Sequence, residues 1–140
     1  MDAPDTLTIA SRFECIDEAR RWVAERVRSA GYGDDPVGEI ELALTEALAN
    51  VIEHGYGGDG SGEIAVTVVA GGDSLAVRVR DWGHGADEVG FERRDLDDPG
   101  EGGYGVYMME QLMDDVTREA QPDGGTLLTM IKRKKEGHHG

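Results

Sequence analysis

Glu41-Leu-Ala-Leu-Thr-Glu-Ala-Leu-Ala-Asn-Val-Ile-Glu-His54, closed by Gly55-Tyr-Gly-Gly58, reads as a helix with two chemically different sides. At about 3.6 residues per turn, Val37, Ile40, Leu44, Leu48 and Val51 fall on one stripe, the pattern of a core-facing helix. Glu39, Glu46, Asn50 and Glu53 gather on the other side. Asn50 is the odd member, because Asn gains little inside a helix and prefers caps and turns. Glu46 lies one turn away, so the two side chains are neighbours. A carboxylate beside an amide oxygen can accept a proton and supply a ligand to a hard cation such as Mg²⁺. A solvated helix face has the same composition, and the helix alone leaves both readings open.

Upstream, Thr6–Ser11 alternates like a short strand, and Phe13–Ala30 carries Ile16, Ala19, Trp22, Val23 and Val27 at helical spacing. Gly31-Tyr-Gly33 ends that helix, and Asp34 or Asp35 before Pro36 predicts a cap and a first-turn proline for the next. Downstream, Glu63–Ala70 and Ser74–Arg80 alternate with period two around the turn Gly71-Gly-Asp73, which predicts a hairpin. Gly83–Gly102 is aperiodic, charged and glycine-rich, and a loop of that length reads as a functional lid. Tyr104–Met113 has helical spacing, and Val116–Ala120 and Thr126–Ile131 read as strands joined by Pro122-Asp-Gly-Gly125. The order β-α-α-β-β-lid-α-β-β predicts an α+β two-layer sandwich, a mixed but mostly antiparallel sheet covered on one face by helices. One domain accounts for residues 1–140, with a core of about 7–132 and a basic tail at 133–140.

Composition narrows the partners. Lys and Arg total 14 against 29 Asp and Glu, a formal net charge of −15. That surface repels nucleic acid and anionic membranes and suits a basic partner. The single cysteine, Cys15, excludes an internal disulfide framework and fits a cytoplasmic setting. The first residues lack the apolar run of a signal peptide, and no window approaches the roughly 20 apolar residues of a membrane helix. His54 and His84 have no paired ligand at zinc spacing, and none of Ser11, Ser29, Ser61 and Ser74 sits in a nucleophile elbow.

Two further stretches bear on the central helix. In Asp81-Trp-Gly-His-Gly85 the carboxylate ends a strand, where it can accept a hydrogen bond from an exocyclic amine, while Gly83 and Gly85 leave backbone open to a flat ring. In Gly102-Gly-Tyr-Gly105, successive N–H groups ahead of a helix can cradle an anion. Neither P-loop nor dinucleotide fingerprint occurs.

Glu-x-x-x-Asn on a helix, Asp-x-Gly-x-Gly after a strand, Gly-x-Gly opening a helix and a late Gly124-Gly125-Thr126 occur in that order. The combination resembles the GHKL (Bergerat-fold) ATPase superfamily. Leu44-Thr-Glu-Ala-Leu-Ala-Asn50 with His54-Gly-Tyr56, and Gly102–Asp114, are similar to the boxes of the small bacterial anti-sigma-factor serine-protein kinases. The resemblance covers about Leu7 to Lys132. It implies that Asn50 holds Mg²⁺ on the phosphates of ATP or ADP and that Glu46 is the base for the attacking hydroxyl. It implies further that Asp81 reads the adenine amine, with Gly83, Gly85 and Thr126 about the base and Gly103, Tyr104, Gly105 and Val106 at the phosphates. The implied partners are a sigma factor and a STAS-type anti-sigma-factor antagonist, phosphorylated on Ser or Thr, with a homodimer plausible. One departure stands out: kinases of this branch often carry an Arg just before the phosphate box, where this chain has Gly100 and Glu101, so either Arg93 or Arg94 substitutes or closure stays incomplete until a partner arrives. The alternative is a nucleotide-gated binding module with little or no turnover.

Overall fold

The structure, a computed structural model, describes residues 5–83 and 104–134. Its strands are β1 (Asp5–Ala10), β2 (Glu63–Ala70), β3 (Ser74–Asp81), β4 (Asp115–Ala120) and β5 (Thr126–Arg133). They form one sheet in the order β1-β2-β3-β5-β4, and each described pairing is antiparallel. Helices α1 (Ile16–Ser29), α2 (Asp34–Asn50) and α3 (Tyr104–Leu112) lie on one side, with α2 between the other two and over β3 and β5. The expected two-layer α+β sandwich is therefore present, antiparallel throughout its described pairings.

Strand alternation explains why the helices gather on one face. Ile64, Val66 and Val68 of β2, Leu75, Val77 and Val79 of β3, and Leu128 and Met130 of β5 all point to the helix side and are buried. Thr67, Arg78 and Thr129, in register across the three central strands, point the other way. From the helix layer, Val23 and Val27 of α1, Ile40, Leu44 and Leu48 of α2 and Met109 of α3 complete the core. Each such side chain contributes about 1.5–3 kcal/mol of burial, so α2 is the element the rest packs around. No helix among the described residues is long and apolar enough to cross a membrane.

Two local expectations change. Gly33, not an aspartate, is the N-cap residue of α2 and makes no side-chain cap bond; Asp34 and Asp35 sit inside the first turn with Pro36. Their contribution is charge against the helix dipole rather than a cap hydrogen bond. At the other end of the sheet, β5 continues to Arg133, and Lys132 is buried on the helix side rather than opening a tail. Its ammonium is 2.6 Å from Glu39 Oε1 of α2 and also donates to the Leu112 carbonyl at the end of α3. A charge is tolerated there because both of its partners are in place.

Candidate functional site

The C-terminal end of α2 is where the fold becomes unusual. From Val51 to Gly55 the backbone widens into a π-helical turn, and the Tyr56 N–H donates to the Val51 carbonyl at 2.9 Å. Such turns interrupt α-helices most often where side chains must be re-aimed. Ile52, four residues after Leu48, takes the core position, while Val51 is half-buried. Asn50, expected on the polar side, is only 8% exposed.

Gly55 then meets Gly83, and Gly125 meets the backbone at Asp81. A Cβ on Gly83 would lie 2.0 Å from the Gly55 carbonyl oxygen, and one on Gly125 would lie 2.0 Å from the Asp81 carbonyl oxygen. The end of α2, the end of β3 and the start of β5 thus touch backbone to backbone. On the side where a side chain would sit, Gly83 is filled by Gly55, so this glycine is required by the junction itself. The hydroxyl of Tyr56 fastens the same junction, accepting from the Trp82 N–H at 2.8 Å and donating to the Glu63 carbonyl at 2.6 Å. Burial pushes the pKa of that hydroxyl up.

This junction fixes Asp81. The carboxylate is 2% exposed; Oδ1 accepts from the Gly83 N–H at 2.9 Å and Oδ2 from the Thr126 hydroxyl at 2.7 Å. A carboxylate offers about four acceptor positions, so two remain for a ligand. The Asp81 and Thr126 side chains share a cleft with Leu128 and Arg118 on the sheet side and Ala47, Asn50, Val51 and His54 on the helix side, with Gly55 at the junction. The Nδ2 atom of Asn50 is buried there without a hydrogen-bond partner among the described residues. An unpaired buried amide costs about 1–3 kcal/mol, which a ligand would relieve. The cleft holds about 20 Å³ of free space, room for about one water, so a larger ligand requires the site to open.

The expected site residues are thus partly assembled. Asn50, Asp81 and Thr126 line one cleft. Glu46, half-buried one turn earlier on α2, is not part of its lining. Tyr104, Gly105 and Val106 form the first turn of α3, which packs on α2. Gly85, Gly103 and most of the expected lid, with Arg93, Arg94, Gly100 and Glu101, lie outside the described residues. Sequence reasoning assigned His54 to a helix end and did not mark Arg118. The available signal was an arginine at a core-facing position of β4, one alternation after Val116. Ser11 is structural: its hydroxyl donates to the Asp59 carbonyl at 2.5 Å and accepts from the Gly62 N–H at 3.0 Å. A larger groove, about 670 Å³, lies at the other end of the sheet beside Tyr32 and Lys134, and it holds none of these side chains.

A one-sided antiparallel sheet with a pinned carboxylate at the end of β3 and a buried amide at the end of α2 defines a class, and the chain belongs to it: residues 9–132 match the histidine kinase-like ATPase domain family. Within that class the similarity is to serine-protein kinases RsbW. That of Bacillus velezensis is 32% identical over 137 residues, covering 90% of this chain and 82% of its own. That of Halalkalibacterium halodurans is 29% identical over 139 residues, covering 92% and 83%. The crystal structure of the RsbU and RsbW domains of Rv1364c from Mycobacterium tuberculosis matches with a TM-score of 0.67 at 23% identity, covering 94% of this chain. This chain spans 32% of that longer one, and the likeness supports the fold.

Proposed function

We propose that this protein binds Mg-ATP in the cleft between α2 and β5 and transfers its terminal phosphoryl group to a Ser or Thr of a small regulatory protein. The observation that carries the reading is the Asp81 carboxylate, buried, held by two donors of its own fold, and sharing a cleft with Asn50, whose Nδ2 has no partner among the described residues. A fixed acceptor of this kind suits the exocyclic amine of adenine and repels the carbonyl that guanine presents there. Asn50 fits a magnesium ion bound mainly through nucleotide phosphates, since that ion keeps several waters and needs few protein ligands. When bound, Mg²⁺ neutralises charge on the polyphosphate. Thr126 orients Asp81, the first turn of α3 offers N–H groups to phosphate, and Glu46 takes the proton of the attacking hydroxyl from the solvent side of α2. The similarity to serine-protein kinases RsbW supports a sigma factor and its antagonist as partners; a STAS-type antagonist, a cytoplasmic location and a homodimer belong to the same reading.

The test is phosphoryl transfer from labelled ATP to the cognate antagonist. Glu46→Gln is expected to keep nucleotide affinity within about threefold while transfer falls by about 10²–10⁴-fold, the usual contribution of a general base. Full transfer by that variant would remove Glu46 from the mechanism. The second reading, a nucleotide-gated binding module, is favoured by Gly100 and Glu101 at the positions where an arginine is often found. It predicts negligible transfer by the unaltered chain together with partner affinity that depends on nucleotide.

A further inference from the structure

The cleft has one wall to which the adenine reading gives no task. On β4 the side chains facing the helices are Val116 and Arg118, opposite Met130 and Leu128 of β5, both of which are buried. Val116 packs against the core, as that alternation requires. The next position on the same face carries a guanidinium instead, half-buried and lining the cleft with Asp81, Asn50 and Thr126. An arginine at such a place lays its apolar stem along the sheet and offers a flat, weakly hydrated cation at its tip.

We propose that Arg118 is a base-contacting residue, its guanidinium plane stacking on the face of the purine whose amine Asp81 accepts. The inference rests on the nucleotide reading above and adds to it a determinant of base affinity. The geometry of the walls supports it. Asp81 is held by two hydrogen bonds, and Gly55 is locked by backbone contact. A cleft with room for about one water admits a purine only if it opens. Arg118 reaches the lining from the edge strand of the sheet and is the long planar side chain on that wall. Stacking between guanidinium and aromatic planes strengthens as both are shielded from water, and Arg118 is already half-buried on this wall.

A contact with the base is indifferent to the phosphates, and this makes the proposal testable. Calorimetry on the full chain with adenosine, ADP and ATP, without added magnesium, compares the unaltered protein with Arg118→Lys and Arg118→Leu; thermal unfolding checks that both variants fold. Both are expected to bind all three ligands about 5- to 30-fold more weakly, by a common factor. Lysine is not expected to rescue, because it keeps the charge and lacks the plane. Near-complete rescue by Arg118→Lys, a loss that grows from adenosine to ATP, or no loss in either variant would each overturn the assignment. Failure of the unaltered chain to bind any of the three, and to bind ATP when magnesium is added, would remove the nucleotide reading itself, which is a distinct result.

Discussion

At the scale of single residues, Asp81 and Asn50 are both buried polar groups, and their hydrogen-bond counts separate their roles. Asp81 has two donors from its own fold, so its position is secured before any ligand arrives. Asn50 has an amide nitrogen with no acceptor among the described residues, so it is a cost to the fold. Opposite outcomes are expected on substitution. Asp81→Asn keeps the shape but exchanges one acceptor for a donor; ATP affinity should fall roughly 10- to 100-fold and the preference over GTP should disappear. Calorimetry with both nucleotides measures this, and an unchanged ATP-to-GTP ratio contradicts the role. Asn50→Ala should leave the unfolding free energy within about 1 kcal/mol, because it removes an amide nitrogen unsatisfied among the described residues. The same variant should lose the magnesium dependence of ATP binding, and retained dependence would place the metal elsewhere.

At the scale of elements, the site depends on three chain segments meeting at Gly55, Gly83 and Gly125. The obstacles around Gly83 and Gly125 are backbone atoms, which cannot rotate away as a side chain can. Gly124 and Gly125 provide an internal comparison. Both have positive φ, +102° and +78°, so alanine strains both, yet the space beside Gly124 is open while that beside Gly125 is filled. Gly125→Ala should therefore destabilise by about 1–3 kcal/mol more than Gly124→Ala in chemical denaturation, the usual cost of overpacking. Equal losses would mean that the junction of β3 and β5 yields easily. The π turn belongs to the same construction. By widening the end of α2 it brings Gly55 against Gly83 and leaves Val51 and His54 on the cleft.

At the scale of the whole molecule, stability should be level near neutrality and fall at both extremes of pH. The Asp17, Asp59 and Asp123 carboxyls are held below their ordinary value of 3.8, by the side chain of Arg20, the backbone N–H of Ser61 and the side chain of Arg80 respectively. A depressed carboxyl stabilises the fold above its unfolded pKa, and that contribution is lost as pH falls below it. The Tyr32 and Tyr56 hydroxyls are shifted the other way, above their ordinary value of 10.0, chiefly by burial. They favour the fold while protonated. The unfolded chain ionises first as pH rises past that value, so their contribution is then lost. Denaturation midpoints measured against pH should show this alkaline decline, and Tyr32→Phe with Tyr56→Phe should flatten it. An unchanged decline in the double variant would assign it to other groups.

Periodicity decided much before any tertiary contact was known. Alternation in Glu63–Ala70 and Ser74–Arg80, the stripe from Val37 to Leu48, and glycines at the turns were enough for the helices, the hairpin and a sheet covered on one side. They also marked Asn50 and Asp81, because a polar residue interrupting an apolar pattern is visible locally, whereas Thr126 entered only through the resemblance. Four matters needed the folded chain. Helical spacing allows either Val51 or Ile52 beneath the core, and only the π turn with its packing selects Ile52. The fit of Gly83 against Gly55 joins residues far apart in sequence, and no local pattern encodes which backbone fills the space beside a glycine. Lys132 reads as the start of a basic tail until Glu39 and the end of α3 are brought to it. Arg118 reads as a surface charge on a short strand until register with β5 turns it toward the cleft. In each case the local pattern limits the conformations open to a segment, whereas the neighbours that satisfy or obstruct a side chain come from segments only the fold brings together.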